Sequence, residues 1–323
     1  MKKNIAIVMG GYSKEASISI NSGNVVANCL NTAKYNVYKV HILKNKWVLL
    51  YKNREFPIDK NDFSVMLEEH KLVFDCVFNA IHGNPGENGS LLAYFDLIGM
   101  KHTSAPFYCM ALTFNKHDTI SVLRECGIKA AKSIYLNKGD TIDIDFIVKE
   151  LNLPCFVKAN NAGSSFGVSK IYNKEDLAKA IDFSFAEDDA VLIESFLDGK
   201  EVSVGVYKFN DEIKVLPMTE IVSENDFFDY EAKYLGKSQE ITPARITEEE
   251  HKKLHKIAKK VYQSLNMKGI SRADYIFVDD EPHFIEINTV PGLSTESILP
   301  QQIRAAGFTL SDFFEMAIEA GLR

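Results

Sequence analysis

The stretch FIEINTVPGLSTES (residues 284–297) is typical of a strand that runs into a Pro-Gly turn followed by hydroxyl side chains. Because side chains alternate along a strand, Glu286 and Asn288 are expected on one face and Ile285 and Ile287 on the other. A carboxylate and an amide are costly to bury unless a partner satisfies them. This polar face is therefore predicted either to meet water at a sheet edge or to hold a cation.

The strand SRADYIFV comes before this stretch, and the connection DDE (279–281) predicts a hairpin with a three-residue loop. That register sets Asp274 opposite Glu286 and Arg272 opposite Asn288. A five-residue loop would give the same register, whereas a four-residue loop would break it. Directly opposed carboxylates repel each other unless a cation lies between them. Oxygen ligands from Asp, Glu and Asn suit Mg²⁺, so a metal site is the alternative to a solvated polar face.

The composition is that of an ordinary globular protein of two or three domains, with 323 residues, 46% of them hydrophobic and 25% charged. The 37 basic and 44 acidic residues give a net charge of −7. Without a strongly basic block, a nucleic-acid partner is disfavoured, because such surfaces neutralise phosphates. The five cysteines are scattered without CxxC spacing and are interpreted as reduced thiols of a cytoplasmic protein.

The start of the chain, MKKNIAIVMGG, combines two lysines with an apolar run, as a signal peptide does. The run at residues 5–9 is too short for a secretory signal and far too short for a membrane span. Later segments also stay below the roughly 18 apolar residues that a membrane helix needs. We therefore expect a cytoplasmic protein that does not enter a membrane.

Strand and helix patterns alternate over the first hundred residues, which predicts an α/β fold with a parallel sheet and crossover helices. Strands are predicted at 5–9, 36–43 and 73–81, and helices at 16–30 and from residue 90. Ligands of such sheets gather at the carboxyl ends of the strands. The Gly-Gly turn at 10–11 and the loop HGNPGENG (82–89) are expected there.

The rest of the chain alternates in the same way. Helices are predicted at 116–126 and 174–185, and strands at 153–159, 167–172, 190–195, 201–208 and 213–219. Gly127 is a helix-ending glycine, and Thr247 with the three glutamates after it predicts a capping box at the start of a long helix.

Three loops carry candidate binding residues. GSSFG (163–167) follows Lys158 on a strand, and its small residues could bring backbone N–H groups to a phosphate or simply form a flexible turn. Its order differs from GxxxxGK[ST], which disfavours a P-loop. GGYSKE (10–15) lacks GxGxxG, and no acid ends the second strand, so a nicotinamide dehydrogenase is disfavoured. Glu15 and His82 each have a structural explanation when taken alone.

Taken together, five motifs resemble those of the D-alanine–D-alanine ligase family of the ATP-grasp superfamily. They are GGYSKE, NAIHGNPGENG, FVKANNAGSSFGVSK, YEAKY (230–234) and RAD with EINTVPGLSTES, and they cover the chain from Ile5 to about Leu299. The resemblance implies a three-domain ATP-grasp architecture. It has a Rossmann-like parallel sheet in an N-terminal substrate domain (1–98) and two α+β subdomains (99–186 and 187–323) that clamp ATP.

The resemblance also implies residues for ATP and metal. Lys116, Lys158 and Lys233 would contact phosphates, Glu194 and the backbone of Ser195, Phe196 and Leu197 would hold adenine, Glu201 would hold the ribose, and Ser164 would belong to the loop over the phosphates. Two Mg²⁺ ions, with Mn²⁺ as a possible substitute, would be bound by Asp274, Glu286 and Asn288, with Glu286 bridging.

In the implied reaction, the carboxylate of a first D-alanine attacks the γ-phosphate of ATP, and the amine of a second D-alanine attacks the resulting acyl phosphate. The implied catalytic residues are Glu15, Ser164, Tyr234, Arg272, Gly292 and Ser297. Substrate would be bound by Glu15, His82, Ser297 and Ile298. The product would serve peptidoglycan precursor synthesis, and the family resemblance implies a homodimer.

This chain departs from the family pattern in several places. Asn88 replaces an aspartate, SLLAYFDL follows where a Gln-Gly pair is usual, Ser195 and Phe196 replace a lysine and a tryptophan, and Asn160 and Asn161 replace charged residues. These changes concern nucleotide affinity rather than the class of reaction. A D-alanine–D-lactate ligase and a non-catalytic ATP-binding regulator are the alternatives. A regulator would have no use for Glu15, Arg272 and Ser297 together.

Overall fold

Three β-sheets organise the computed structural model, which describes residues 2–223 and 238–323. The first sheet is formed by β1 (Lys3–Gly11), β2 (Tyr35–Leu43), β3 (Lys46–Tyr51), β4 (Arg54–Asp59), β5 (Ser64–Leu67), β6 (His70–Leu72) and β7 (Cys76–Asn79), with α1 (Ala16–Cys29) and α2 (Ser90–Leu97). Its strand order is β6-β5-β4-β3-β2-β1-β7. The apolar segment of β1 predicted at residues 5–9 is fully buried.

The first sheet is mixed, whereas the sequence predicted a parallel one. Only β1 pairs in parallel, with β2 on one side and β7 on the other, while β2 to β6 continue as antiparallel hairpins. The β3–β4 turn uses Lys52 and Asn53 with positive φ (48° and 58°), so it lacks the glycine that marks many hairpins. The loops after β1 and β7 nevertheless lie side by side at the carboxyl edge, where Tyr12 N–H donates to Asn84 O at 2.7 Å.

The second sheet is antiparallel, with the order β10-β9-β11-β8. Its strands are β8 (Ser133–Asn137), β9 (Cys155–Ala159), β10 (Ser169–Ile171) and β11 (Ala190–Ser195). The accompanying helices are α3 (Phe107–Phe114), α4 (Lys116–Glu125), α5 (Ile144–Leu151), a 3₁₀ turn (Lys174–Asp176) and α6 (Leu177–Phe185). Because β11 belongs to this sheet, the second sheet extends past the boundary predicted at 186. The division into three domains stays a prediction.

The third sheet has the order β15-β14-β12-β16-β17, with β13 paired to β12. Its strands are β12 (Lys200–Phe209), β13 (Glu212–Val215), β14 (Thr219–Ser223), β15 (Ser238–Ile241), β16 (Ile270–Val278) and β17 (Glu281–Asn288). The remaining helices are α7 (Glu248–Ser264), α8 (Ile298–Ala305) and α9 (Leu310–Leu322). The predicted capping box of α7 is present, with Thr247 and Glu250 capping each other. Within residues 2–223 and 238–323, no helix is both long and apolar enough to cross a membrane.

The β16–β17 hairpin has the predicted register but not the predicted turn length. Asp274 lies opposite Glu286 and Arg272 opposite Asn288, as predicted. The turn, however, has two residues, Asp279 and Asp280, both with positive φ (49° and 58°). A two-residue turn alone would misalign these pairs by one position, and an irregularity between Asp274 and Tyr275 restores the register.

The same irregularity corrects the face predicted for Ile285. Simple alternation would place Ile285 with Ile287, but Phe284 and Ile287 are the buried pair. Ile285 and Glu286 both line the same cavity instead. A β-bulge adds one residue to a strand, so two successive side chains can share a face.

Candidate active site

A cavity of about 110 Å³ lies between the second and third sheets. Most of the residues predicted to bind nucleotide line it, together with Asp274 and Glu286 of the hairpin. These are Lys116, Lys158, Glu194, Ser195, Leu197 and Glu201. Phe156, Ile276 and Ile285, which the sequence did not single out, supply apolar surface. The cavity thus combines an apolar wall with converging charges, as a nucleotide site requires.

Lys158 and Glu194 form a buried ion pair on the floor of this cavity. Lys158 Nζ lies 2.7 Å from Glu194 Oε2, and the two side chains are 15% and 4% exposed. Burial alone lowers the pKa of Lys158, but the carboxylates of Glu194, Glu286 and Glu201 reverse this and hold it above its ordinary value. The ammonium group therefore stays charged and can face an anionic ligand.

The Gly-Ser loop lies between this cavity and a second one. Ser164 and Ser165 both have positive φ (49° and 58°), and Ser165 lines the first cavity while Ser164 lines the second. Ser164 Oγ donates to Glu15 Oε1 at 2.5 Å. A Cβ added at Gly163 would lie 3.0 Å from the Glu15 carboxylate oxygens, so glycine permits this approach.

Among the predicted nucleotide residues that the structure describes, Phe196 lines neither cavity. Its ring packs under Lys170 Nζ, 4.1 Å from the ring centroid. The replacements at Asn160 and Asn161 have structural partners. Asn160 Oδ1 accepts the His117 N–H at 2.9 Å, and Asn161 Nδ2 donates to Asp188 at 2.9 Å. Lys233 and Tyr234 lie outside the described residues, so their predicted roles stay predictions.

The second cavity measures about 300 Å³ and adjoins the first. The predicted substrate and catalytic residues that line it are Glu15, His82, Ser164, Arg272, Gly292, Ser297 and Ile298, and the predicted metal ligand Asn288 lines it too. A Cβ at Gly292 would lie 2.9 Å from Ser297 Oγ, so glycine lets the Pro-Gly turn fold against the start of α8. Ser297 is the residue before the first turn of α8, where backbone N–H groups lack helical partners.

His82 joins the first sheet to the Pro-Gly turn. Its Nδ1 lies 2.8 Å from the carbonyl oxygen of Val290, and its Nε2 lies 3.0 Å from Ser22 Oγ. Burial lowers the pKa of His82, although the Glu15 carboxylate acts in the opposite direction. The neutral ring then donates from Nδ1 and accepts at Nε2, which fixes the turn beside the cavity.

Glu87 lines the second cavity and was not selected by sequence reasoning. One carboxylate oxygen accepts the Gly83 N–H at 2.7 Å, and the other accepts the Val290 N–H at 3.1 Å. Glu87 therefore connects its own loop to the same turn that His82 holds. Its position inside HGNPGENG was the available signal, but the contact with Val290 spans two distant parts of the chain.

The three residues predicted to bind metal lie where the cavities adjoin: Asp274 and Glu286 line the first cavity and Asn288 lines the second. Asp274 is 4% exposed and accepts two hydrogen bonds from Arg272, at 3.1 and 3.0 Å. In the described part of the chain, no three His, Cys, Asp or Glu side chains form a metal cage. Carboxylate and amide oxygens are the kind of ligand that Mg²⁺ takes, so the donor set fits this ion and the metal role of the three residues stays a prediction.

We expect the stability of the protein to fall between about pH 5 and pH 7 because of Glu87. Burial, with the Glu15 charge, raises the pKa of Glu87 to about 7. The folded state thus holds a proton that the unfolded chain releases near its ordinary pKa of 4.5. This contribution to the free energy of unfolding, up to about 3 kcal/mol, is complete below pH 4.5 and is lost as the pH rises through 7.

Urea unfolding of the native protein and of Glu87→Gln at pH 5, 6, 7 and 8 measures this contribution. Glu296 is an exposed carboxylate of the same cavity, so Glu296→Gln is the control. Its free energy of unfolding should change with pH as that of the native protein does. The expected result is a smaller loss of stability with pH in Glu87→Gln. If the free energy of unfolding changed with pH equally in the native protein and in Glu87→Gln, Glu87 would not carry the proton.

Three sheets with a nucleotide-type cavity between the second and third define the ATP-grasp class of ligases. Models of the D-ala D-ala ligase N-terminus and C-terminus match residues 4–105 and 122–319. A D-alanine–D-alanine ligase of Flavobacterium johnsoniae is 59% identical over 321 residues, covering 99% of both chains. The chain therefore belongs to the D-alanine–D-alanine ligase family, whose members use ATP and a divalent metal.

Solved structures agree with this assignment. D-alanyl-alanine synthetase A of Vibrio cholerae superposes with a TM-score of 0.89 at 25% identity, covering 99% of this chain and 98% of that one. The VanG D-Ala:D-Ser ligase of Enterococcus faecalis superposes with a TM-score of 0.88 at 27% identity, covering 99% and 100%. Proteins named for different second substrates thus share this fold.

Proposed function

We propose that the protein joins two D-alanine molecules into D-alanyl-D-alanine while ATP becomes ADP and phosphate, for peptidoglycan precursor synthesis. One observation carries the proposal: the β16–β17 hairpin serves both cavities. Asp274 and Glu286 line the first cavity, and Arg272 and Asn288 line the second. A phosphate bound in the first can therefore meet a small polar molecule bound in the second.

The first cavity orients ATP. Lys116 and Lys158 contact the phosphates, with Lys158 kept charged by Glu194, and Glu201 holds the ribose. Glu194 and the backbone from Ser195 to Leu197 hold the adenine, and Phe156 and Ile276 supply the apolar wall. Asp274, Glu286 and Asn288 would hold two Mg²⁺ ions, with Mn²⁺ as the substitute that the family resemblance implies. Ions bound there would neutralise charge on the phosphates.

The second cavity orients the amino acids. Glu15 pairs with the ammonium of the first D-alanine, near His82. A carboxylate oxygen of this D-alanine attacks the γ-phosphorus of ATP and displaces ADP. The amine of the second D-alanine, held by its carboxylate at Ser297 and the Ile298 N–H, then attacks the acyl carbon. The nitrogen, which enters as an ammonium, gives one proton to solvent before the attack and a second to the phosphate, which leaves with the oxygen that it received.

Two groups stabilise the tetrahedral intermediate, namely the Arg272 guanidinium and the Gly292 N–H. Donors fixed before the reaction act strongly in a site that excludes water. The contact of Ser164 with Glu15 holds the Gly-Ser loop beside both cavities. The family resemblance assigns Tyr234 to the same hydrogen-bonded group and Lys233 to the γ-phosphate. Exclusion of water protects the acyl phosphate from hydrolysis.

The enzyme acts in the cytoplasm as a homodimer, without nucleic-acid or membrane partners. The five free cysteines support a reducing compartment, and the family resemblance supports the dimer. Gel filtration with light scattering measures the assembly state.

The test of the proposed function is the stoichiometry of the reaction. With ATP, Mg²⁺ and D-alanine, we expect equal amounts of phosphate and D-alanyl-D-alanine, because one γ-phosphate activates one carboxylate. L-alanine is the matched control, since it has the same size and charge but places its methyl group differently against Glu15. ATP turnover without dipeptide, or equal turnover with L-alanine, would reject the proposal.

A further inference from the structure

Glu240 is a carboxylate of the second cavity to which neither the sequence motifs nor the proposed reaction gives a role. It lies on β15, opposite Ile221 of β14, which in turn lies opposite Glu201 of β12. Directly paired residues of neighbouring strands share a face of the sheet. Glu240 therefore points to the same side as Glu201, and it lines the second cavity while Glu201 lines the first.

Gln301 holds Glu240 at one end of this cavity. The Gln301 side-chain N–H₂ donates to Glu240 Oε2 at 2.7 Å and to the backbone oxygen of Glu296 at 2.8 Å. Gln301 belongs to α8, and Ser297 and Ile298 at the start of this helix line the second cavity. Among residues 2–223 and 238–323, Gln301 is the only side chain that hydrogen-bonds Glu240. The carboxylate thus lies beside the proposed second-substrate end, with Oε1 left to interact with a ligand.

The charges around this end are mostly negative. The described acidic side chains that line the cavity are Glu15, Glu240, Glu296 and Glu87, of which Glu87 holds a proton below about pH 7. Arg272 is the only lysine or arginine among the described lining residues, and its guanidinium already binds Asp274 twice. A ligand that brings its own positive charge is therefore favoured over one that carries only a negative charge.

We propose that Glu240 determines specificity for the second substrate by favouring amino acids over hydroxy acids of the same shape. D-alanine enters as a zwitterion whose ammonium group offsets the Glu240 charge. D-lactate has the same carbon skeleton but enters with a net negative charge, which Glu240 repels. D-serine is also a zwitterion, so Glu240 does not separate it from D-alanine by charge. This inference rests on the proposed ligase function.

Competition between D-alanine and D-lactate at saturating ATP tests the inference in the full-length protein, with dipeptide and ester separated by chromatography. Glu240→Gln keeps an acceptor for Gln301 but removes the charge, and we expect the ester-to-dipeptide ratio to rise about tenfold or more. The KM for the second D-alanine should rise, while the KM values for ATP and the first D-alanine change less than about twofold.

Two variants serve as controls. Glu240→Asp retains the charge and should keep most of the native selectivity, whereas loss of packing alone would affect Asp and Gln alike. Glu248→Gln removes one exposed charge on α7 and should leave the product ratio unchanged. An unchanged ratio in Glu240→Gln, alongside normal dipeptide synthesis by the native protein, would overturn the inference. Failure of the native protein to make dipeptide would overturn the proposed function itself, and with it this inference.

Discussion

Glu286→Gln is expected to lower ligase activity by about 10³-fold or more while the fold is retained. The variant keeps the shape of the side chain but removes one of the two opposed carboxylates of the β16–β17 hairpin. The remaining ligands would bind a divalent cation more weakly, because carboxylate charge provides much of the affinity. Initial rates over a range of Mg²⁺ concentrations, with circular dichroism to check the fold, measure the effect.

Glu281→Gln is the matched control for this variant. Glu281 begins the same strand, but its exposed carboxylate pairs with Lys253 and Lys129 at the surface. Its loss should leave the rate close to native, because exposed ion pairs contribute little. Near-native activity of Glu286→Gln at low Mg²⁺ would show that the polar face is a solvated edge and holds no metal.

Lys158→Met is expected to destabilise the protein by about 3–5 kcal/mol, because it leaves Glu194 buried without its partner. ATP-dependent activity should fall by about 10²-fold or more, since the cation facing the phosphates is gone. The double variant Lys158→Met with Glu194→Gln removes both charges. It should recover most of the stability but none of the activity.

Thermal unfolding and calorimetric titration with ATP separate these two effects. Lys132→Met is the control, because Lys132 pairs with Glu150 at the surface and its removal should change neither stability nor ATP affinity appreciably. If the double variant regained activity together with stability, Lys158 would act only through the ion pair and not on the nucleotide.

The hairpin illustrates how far the sequence could predict the site. The pairing of Asp274 with Glu286 was predicted and is confirmed, but the turn length was wrong and the irregularity beside Asp274 was not foreseen. Both features depend on which side chains the surrounding core accepts, and here it buries Phe284 and Ile287. Alternation along one strand contains no information about such a shift.

Other parts of the fold were missed for related reasons. The antiparallel extension of the first sheet from β3 to β6 has turns at Lys52–Asn53 and Glu68, where positive φ occurs without glycine. Glu87 and Glu240 gain their positions from Val290 and Gln301, which lie far away in sequence. Local motifs predicted a phosphate loop and a metal face, whose ligands stay predictions, whereas these long-range contacts required the structure.

The most direct test of the account follows one oxygen atom from D-alanine to phosphate. If the carboxylate of the first D-alanine attacks ATP, D-alanine labelled with ¹⁸O in its carboxylate must give one labelled oxygen to each phosphate released with a dipeptide. Mass spectrometry of the phosphate should therefore detect one ¹⁸O atom per molecule. Unlabelled phosphate, accompanied by normal dipeptide synthesis, would contradict the acyl phosphate and the proposed meeting of the two cavities at the β16–β17 hairpin.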